Sequence, residues 1–191
     1  MSITIDNHQK ALSFIEIADW PKLSWVSIVK RNSKIISLLH GSYVETHSSW
    51  CVEAVWDGEF SNGDFDQTDL VFGTGVRVRG DQVFFISSGG TLNRLHWYQD
   101  SNALFVSNSL SALLAVANID LVADYAYADA MASITNGLLS YQREIPSILG
   151  PIHIVYYNNI KIENNEISED YKPLPPISFP VRLSGQFNRA G

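Results

Sequence analysis

Two arginines, Arg77 and Arg79, stand two apart in the alternating run Val76-Arg-Val-Arg79. Residues i and i+2 of a strand share one face, so both guanidiniums point the same way. Two such forks side by side can clamp an anion, which makes Arg77 and Arg79 the expected binding residues. An acidic stretch precedes them, with Asp57, Glu59, Asp64, Asp66 and Asp69. It offers the oxygen ligands of a calcium loop without the order of one. The twelfth position counted from Asp57 is Thr68, where a bidentate glutamate belongs. A solvated loop is the reading that remains, with the alternative that the loop and the two arginines line a pocket. The plainer reading of the arginines is the solvent face of an edge strand.

Cys51 is the single cysteine, set between Trp50 and Val52 in an apolar run. No histidine or cation stands where it would lower the thiol pKa, so a buried, inert thiol is expected. His40, His47 and Cys51 have spacings of seven and four, which fit no zinc pattern, and no metal is expected. His96 and His153 fall inside strand patterns and read as face or core residues. Gly73, Gly75, Gly89 and Gly90 lack the lysine and spacing of a phosphate loop and read as turns or bulges. No Gly-x-Ser-x-Gly elbow is present. Ser2 would lead the chain if Met1 were removed, and an N-terminal serine can act as a nucleophile with its own amine as base. No cofactor motif appears.

The elements that must hold these residues are mostly strands. Trp25–Val29 and Ile35–Leu39 flank a turn and predict a hairpin. Trp50–Trp56 is a strand closed by Asp57-Gly58, and Val76–Arg79 returns through Gly80-Asp81 into Gln82–Ser87. Leu95–Tyr98 and Leu104–Ser107 form another hairpin. Ser109–Ala117 reads as a capped helix, and Asp124–Ile134 as a second helix ended by Asn136-Gly137. Ile152–Tyr157 and Lys161–Glu163 read as a last hairpin. Ala11–Ala18 is apolar but too short to assign. Prolines at 173, 175, 176 and 180 break regular structure and read as a linker.

The 191 residues carry a net charge of −7, which argues against a nucleic-acid footprint or a basic membrane patch. Five tryptophans and 46% hydrophobic residues give material for a packed core. No signal-peptide pattern opens the chain, and the longest apolar run, residues 112 to 117, is far too short to span a bilayer. A soluble protein of the cytoplasm is expected.

The stretch from Leu70 to Leu114 carries one further signal, in Leu70-Val-Phe-Gly73, Gln82-Val-Phe-Phe-Ile-Ser87, Leu95-His-Trp-Tyr98 and Ala103-Leu-Phe-Val-Ser-Asn-Ser-Leu-Ser-Ala-Leu-Leu114. It resembles the second half of the glutaminase-like N-terminal domain of asparagine synthetases, over about a quarter of the chain. The resemblance implies an α+β fold: an N-terminal-nucleophile-hydrolase-like sandwich of two antiparallel β-sheets flanked by helices. It also implies a neighbouring ATP-using synthetase domain that forms an amide. The family's cysteine after the initiator Met is Ser2 here, and its glutamine-binding segment has no counterpart. No family catalytic residue transfers. The resulting expectation is a degenerate glutaminase-like domain over residues 1–171, with a Pro-rich linker or tail over 172–191. It would act as a scaffold for a synthetase domain, another partner protein or a second copy. The alternatives are an amidohydrolase using Ser2, and a small-molecule binding module using Arg77 and Arg79.

Overall fold

The computed structural model describes residues 10–164 and 166–172. The first sheet is built from β1 (Ala11–Glu16), β2 (Trp25–Lys30), β3 (Ile35–His40), β8 (Leu95–Gln99), β9 (Ala103–Ser107), β10 (Glu144–Ser147) and β11 (Gly150–Val155). Its order is β1-β3-β2-β9-β8-β11-β10. The second holds β4 (Glu45–His47), β5 (Trp50–Trp56), β6 (Val71–Arg79), β7 (Gln82–Ile86), β12 (Asn159–Glu163) and β13 (Glu166–Asp170), in the order β13-β12-β7-β6-β5-β4. Among the described residues two short α-helices, α1 (Leu110–Ala117) and α2 (Tyr127–Ala132), lie between β9 and β10.

Three apolar clusters hold the layers together. Between the sheets lie Trp25, Leu38, Cys51, Val76, Phe85, Leu104, Val106, Ile160 and Ile162. Trp25 stacks on Phe85 at 6.3 Å between ring centroids, joining one sheet to the other. Burying a side chain of this size contributes about 2–3 kcal/mol. The outer face of the first sheet packs Phe105, Ile152 and Ile154 against Leu113 of α1 and Ala130 of α2. Strands such as β9 are therefore buried on both faces, which is why they read as continuous apolar runs. On the second sheet's outer face, Trp50, Val52, Val71 and Ile86 are covered by Phe65, 0% exposed, from the β5–β6 loop.

The expected helix-flanked α+β fold of the N-terminal-nucleophile type is overturned. The protein is a mostly-β sandwich, and α1 and α2, of eight and six residues, pack on the first sheet only. The second sheet turns Arg77, Arg79 and Lys161 outward. Those charges favour solvent or carboxylates over a packed helix. Nor are the sheets wholly antiparallel, because β1 runs parallel to β3.

Other elements differ from expectation for local reasons. Ile152–Tyr157 and Lys161–Glu163 do not form a hairpin. β11 pairs with β8 and β10, whereas β12 pairs with β7 and β13 in the other sheet. Tyr157, at φ 68°, breaks the extended run and lets the chain cross between sheets. The second helix begins at Tyr127 rather than Asp124, which has φ 64° and cannot start a right-handed turn. Gly73 and Gly75 lie inside β6 rather than ending a strand. The predicted hairpins β2–β3, β6–β7 and β8–β9 are present, and Ser109 caps α1 by accepting from the Ala112 amide. The Pro-rich stretch 173–180 and Ser2 lie outside the described residues.

Candidate functional site: a polar cleft at the open end of the sandwich

β5 and β6 run outward from the core in register. Their inward-facing pairs are Cys51 with Val76, Glu53 with Thr74, and Val55 with Phe72. Cys51, Val76 and Thr74 are fully buried, Glu53 is half-buried, and Val55 and Phe72 are 67% and 65% exposed. The Glu53–Thr74 pair is thus the last polar rung before the inner face of the sheet emerges into solvent.

A hydrogen-bonded network fixes that rung. The Trp25 indole donates to Thr74 Oγ1 at 2.9 Å, and Thr74 donates to Glu53 Oε1 at 2.5 Å. Asn108 Nδ2 donates to the same Glu53 oxygen at 3.2 Å and to the Leu23 carbonyl at 2.9 Å, while its Oδ1 accepts from the Trp25 amide. Asn108 sits where β9 passes into α1. Ser107 holds the adjoining backbone by donating to the Trp25 carbonyl at 2.6 Å. The loop before β2 closes over the site because residue 41 is glycine. A Cβ there would stand 2.3 Å from the Pro21 carbonyl oxygen.

The cleft has a volume of about 310 Å³, in the range of small-ligand sites, and is lined by Leu23, Glu53, Leu92, Arg94, Asn108 and Ser109 among others. An adjoining groove of about 370 Å³ shares Leu23 and Glu53 and adds Tyr43, Val55, Phe60 and Phe72. Burial pushes the Glu53 carboxyl above the usual range, while the hydrogen bonds from Thr74 and Asn108 pull it back in part. Arg94 donates to His96 Nε2 at 3.3 Å and to the Tyr156 hydroxyl at 3.2 Å. An arginine can only donate, so His96 must be neutral with its proton on Nδ1. Burial, then the nearby Arg94 charge, push the His96 pKa down to about 3.

Among the described residues, neither Glu53 nor Arg94 belongs to an ion pair. One cleft therefore presents a carboxylate and a guanidinium, each held by neutral groups and neither neutralised by the other.

Arg77 and Arg79 do share a face of β6, but that face is turned to the acidic loop. Arg79 donates to Asp66 at 2.5 and 2.7 Å and to Asp64 at 2.9 Å. Burial raises the Asp66 pKa, but the hydrogen bonds from Arg79 and Gln67 and the Arg79 charge together outweigh it, holding this carboxyl below the usual range. Arg77 donates to Ser49 at 2.9 Å. Cys51 is fully buried, and burial pushes its thiol far up. His40 Nδ1 meets the Gly41 carbonyl, and His47 stacks on Trp50 at 3.8 Å. Among the described residues no group of three His, Cys, Asp or Glu is placed to hold a metal ion. None of the helices there is long and apolar enough to cross a membrane.

The reading from sequence missed Glu53, Arg94 and Asn108. Glu53 had one visible signal, a charge on the same strand face as Cys51 and Val55. Arg94 and Asn108 had none, because they stand in connections whose course depends on the whole fold. Set against known proteins, the chain matches no protein family, no curated protein and no solved structure.

Proposed function

We propose that this domain binds a small zwitterion, such as a free α-amino acid, in the cleft at the open end of the sandwich. The observation that carries the reading is the pair of unneutralised opposite charges, Glu53 and Arg94, lining one cleft. A ligand with an ammonium and a carboxylate satisfies both at once. Charge-assisted hydrogen bonds of this kind are about twice as strong as neutral ones. The Val55–Phe72 lip offers an apolar bed for the rest of such a ligand. Calorimetric titration with free amino acids, apolar side chains included, tests it. Binding is expected to weaken at least ~10-fold in Glu53→Gln and in Arg94→Gln, each charged contact being worth about 1.5–3 kcal/mol. N-acetylation or C-amidation of the ligand should do the same. Absence of binding by any free amino acid at millimolar concentration overturns the reading.

A second reading, a scaffold that seats a synthetase domain or another partner protein in the cytoplasm, is favoured by the exposed side chains of Tyr43, Val55, Phe60 and Phe72 around one groove. Exposed apolar patches of this kind mark protein contacts. Sedimentation of the wild type against Val55→Lys/Phe72→Lys checks whether a second copy covers them. An unchanged monomer in both leaves that role to a different partner chain.

A further inference from the structure

The other end of β2 carries a second cavity, about 17 Å along the strand from the first at the usual rise per residue. It has a volume of about 240 Å³. Its apolar walls are two cross-strand pairs, one from each sheet: Val29 with Leu104, and Ile162 with Ile167. All four belong to the packing between the sheets, so the cavity is a gap in the inter-sheet core that opens at its end. Lys30 and Arg31 line the same cavity, where β2 turns into β3. The turn is held by the Arg31 amide donating to the Asn102 carbonyl at 2.9 Å and by the Ser33 amide donating to the Lys30 carbonyl. Among the described residues no carboxylate lines the cavity, and neither cation is in an ion pair.

We infer that this cavity takes a short-chain amphipathic anion, with its alkyl chain between the Val29–Leu104 and Ile162–Ile167 pairs and its carboxylate at Lys30 and Arg31. A slot walled by apolar side chains of both sheets favours an alkyl chain, because each methylene that enters it leaves water. Two cations at the mouth, with no carboxylate among the described lining residues, select an anionic head over a neutral or cationic one. The small volume limits the chain to a short one. This site is separate from the Glu53 cleft and stands or falls independently of it.

The test is a titration of the full chain with sodium octanoate below its micellar concentration, followed through the methyl resonances of Val29, Leu104, Ile162 and Ile167. Saturable shifts at these methyls are expected. Octanol, with the same chain and no charge, is expected to bind at least ~10-fold more weakly, a difference of about 1.4 kcal/mol. The turn variant Lys30→Glu/Arg31→Glu should lose at least as much for octanoate. The octanol comparison uses the unaltered chain and so decides the point even if the variant fails to fold. Absence of saturable shifts at these methyls, equal binding of octanol, or unchanged affinity in the folded variant overturns the inference. A parallel arm uses phosphatidylglycerol vesicles. Association with vesicles but not with octanoate would place the anion in a membrane and overturn the inference as well.

Discussion

Glu53 and Arg94 face one cleft with opposite charges and form no ion pair with each other. Each is held by neutral donors or acceptors instead: Glu53 by Thr74 and Asn108, Arg94 by His96 and Tyr156. Folding would usually neutralise two such charges or leave them in water. Keeping them apart and partly buried costs stability, and a ligand that bridges them recovers it.

That cost has a pH signature at Glu53. Its folded pKa is raised above the ordinary value by burial. The group therefore favours the fold at low pH, where it is protonated in both states, and that contribution is lost as pH rises through the folded pKa. Glu53→Gln, which keeps an acceptor for Thr74, is expected to raise the melting temperature at pH 7 by a few degrees, on the order of 1 kcal/mol. The gain should vanish near pH 4. Melting curves of both proteins across pH 4–8 check this.

His96 gives the opposite slope. Burial holds its folded pKa near 3, well below the ordinary 6.5. The neutral ring contributes stability above pH 6.5, which is lost as pH falls toward 3. The His96 ring signals are expected to stay those of a neutral imidazole down to about pH 4 in an NMR titration. A titration midpoint near 6 would mean that the ring reaches water and that Arg94 is not its neighbour.

Arg79 anchors the acidic loop. Asp66 has a side chain with no exposed surface, and Arg79 supplies two of its hydrogen bonds. Arg79→Ala would strand that carboxylate and is expected to destabilise the fold by about 2–4 kcal/mol, measured by urea unfolding. The Asp66 pKa is lowered in the fold, so its contribution is present above the ordinary carboxylate pKa and disappears as pH falls through the lowered value. The loss in the variant should therefore shrink in acid. Phe65, the neighbour of Asp66, covers the second sheet, so quenching of Trp50 and Trp56 fluorescence should report the same opening.

Cys51 lies on the inner face of β5 with its thiol pKa raised by burial. Native protein is expected to resist a disulfide reagent at pH 8, with labelling appearing only as the chain unfolds in denaturant. Labelling within minutes in buffer would show that the sheets open locally at β5.

Parts of this architecture were legible because they are local. Asp57-Gly58 and Gly80-Asp81 mark turns whatever else the chain does, and Ser109 can cap α1 using only atoms three residues away. The hairpins β2–β3, β6–β7 and β8–β9 join neighbours in sequence, so pattern and turn chemistry suffice. Tyr157 misled the reading for the same reason in reverse. Its left-handed backbone has no signature in a tyrosine, yet it decides that β11 and β12 part into different sheets. The missed strands β4, β10 and β13 have only three to five residues, with polar positions that conceal the alternation.

The amino-acid sequence by itself determined a strand-rich, acidic, aromatic chain, its tight hairpins and its capped α1. These follow from backbone preference and from side chains within a few residues. Only the tertiary structure decided which sheet each strand joins, and that helices cover one face and a loop the other. The spacing of Arg77 and Arg79 put both on one face, but only the fold turned Arg79 to Asp64 and Asp66 rather than outward to a ligand. The same holds for the cleft, whose network joins Trp25 to Thr74 across 49 residues and Asn108 to Glu53 across 55. Contacts at such separation form only when hydrophobic burial has closed the intervening chain, so no local pattern records them.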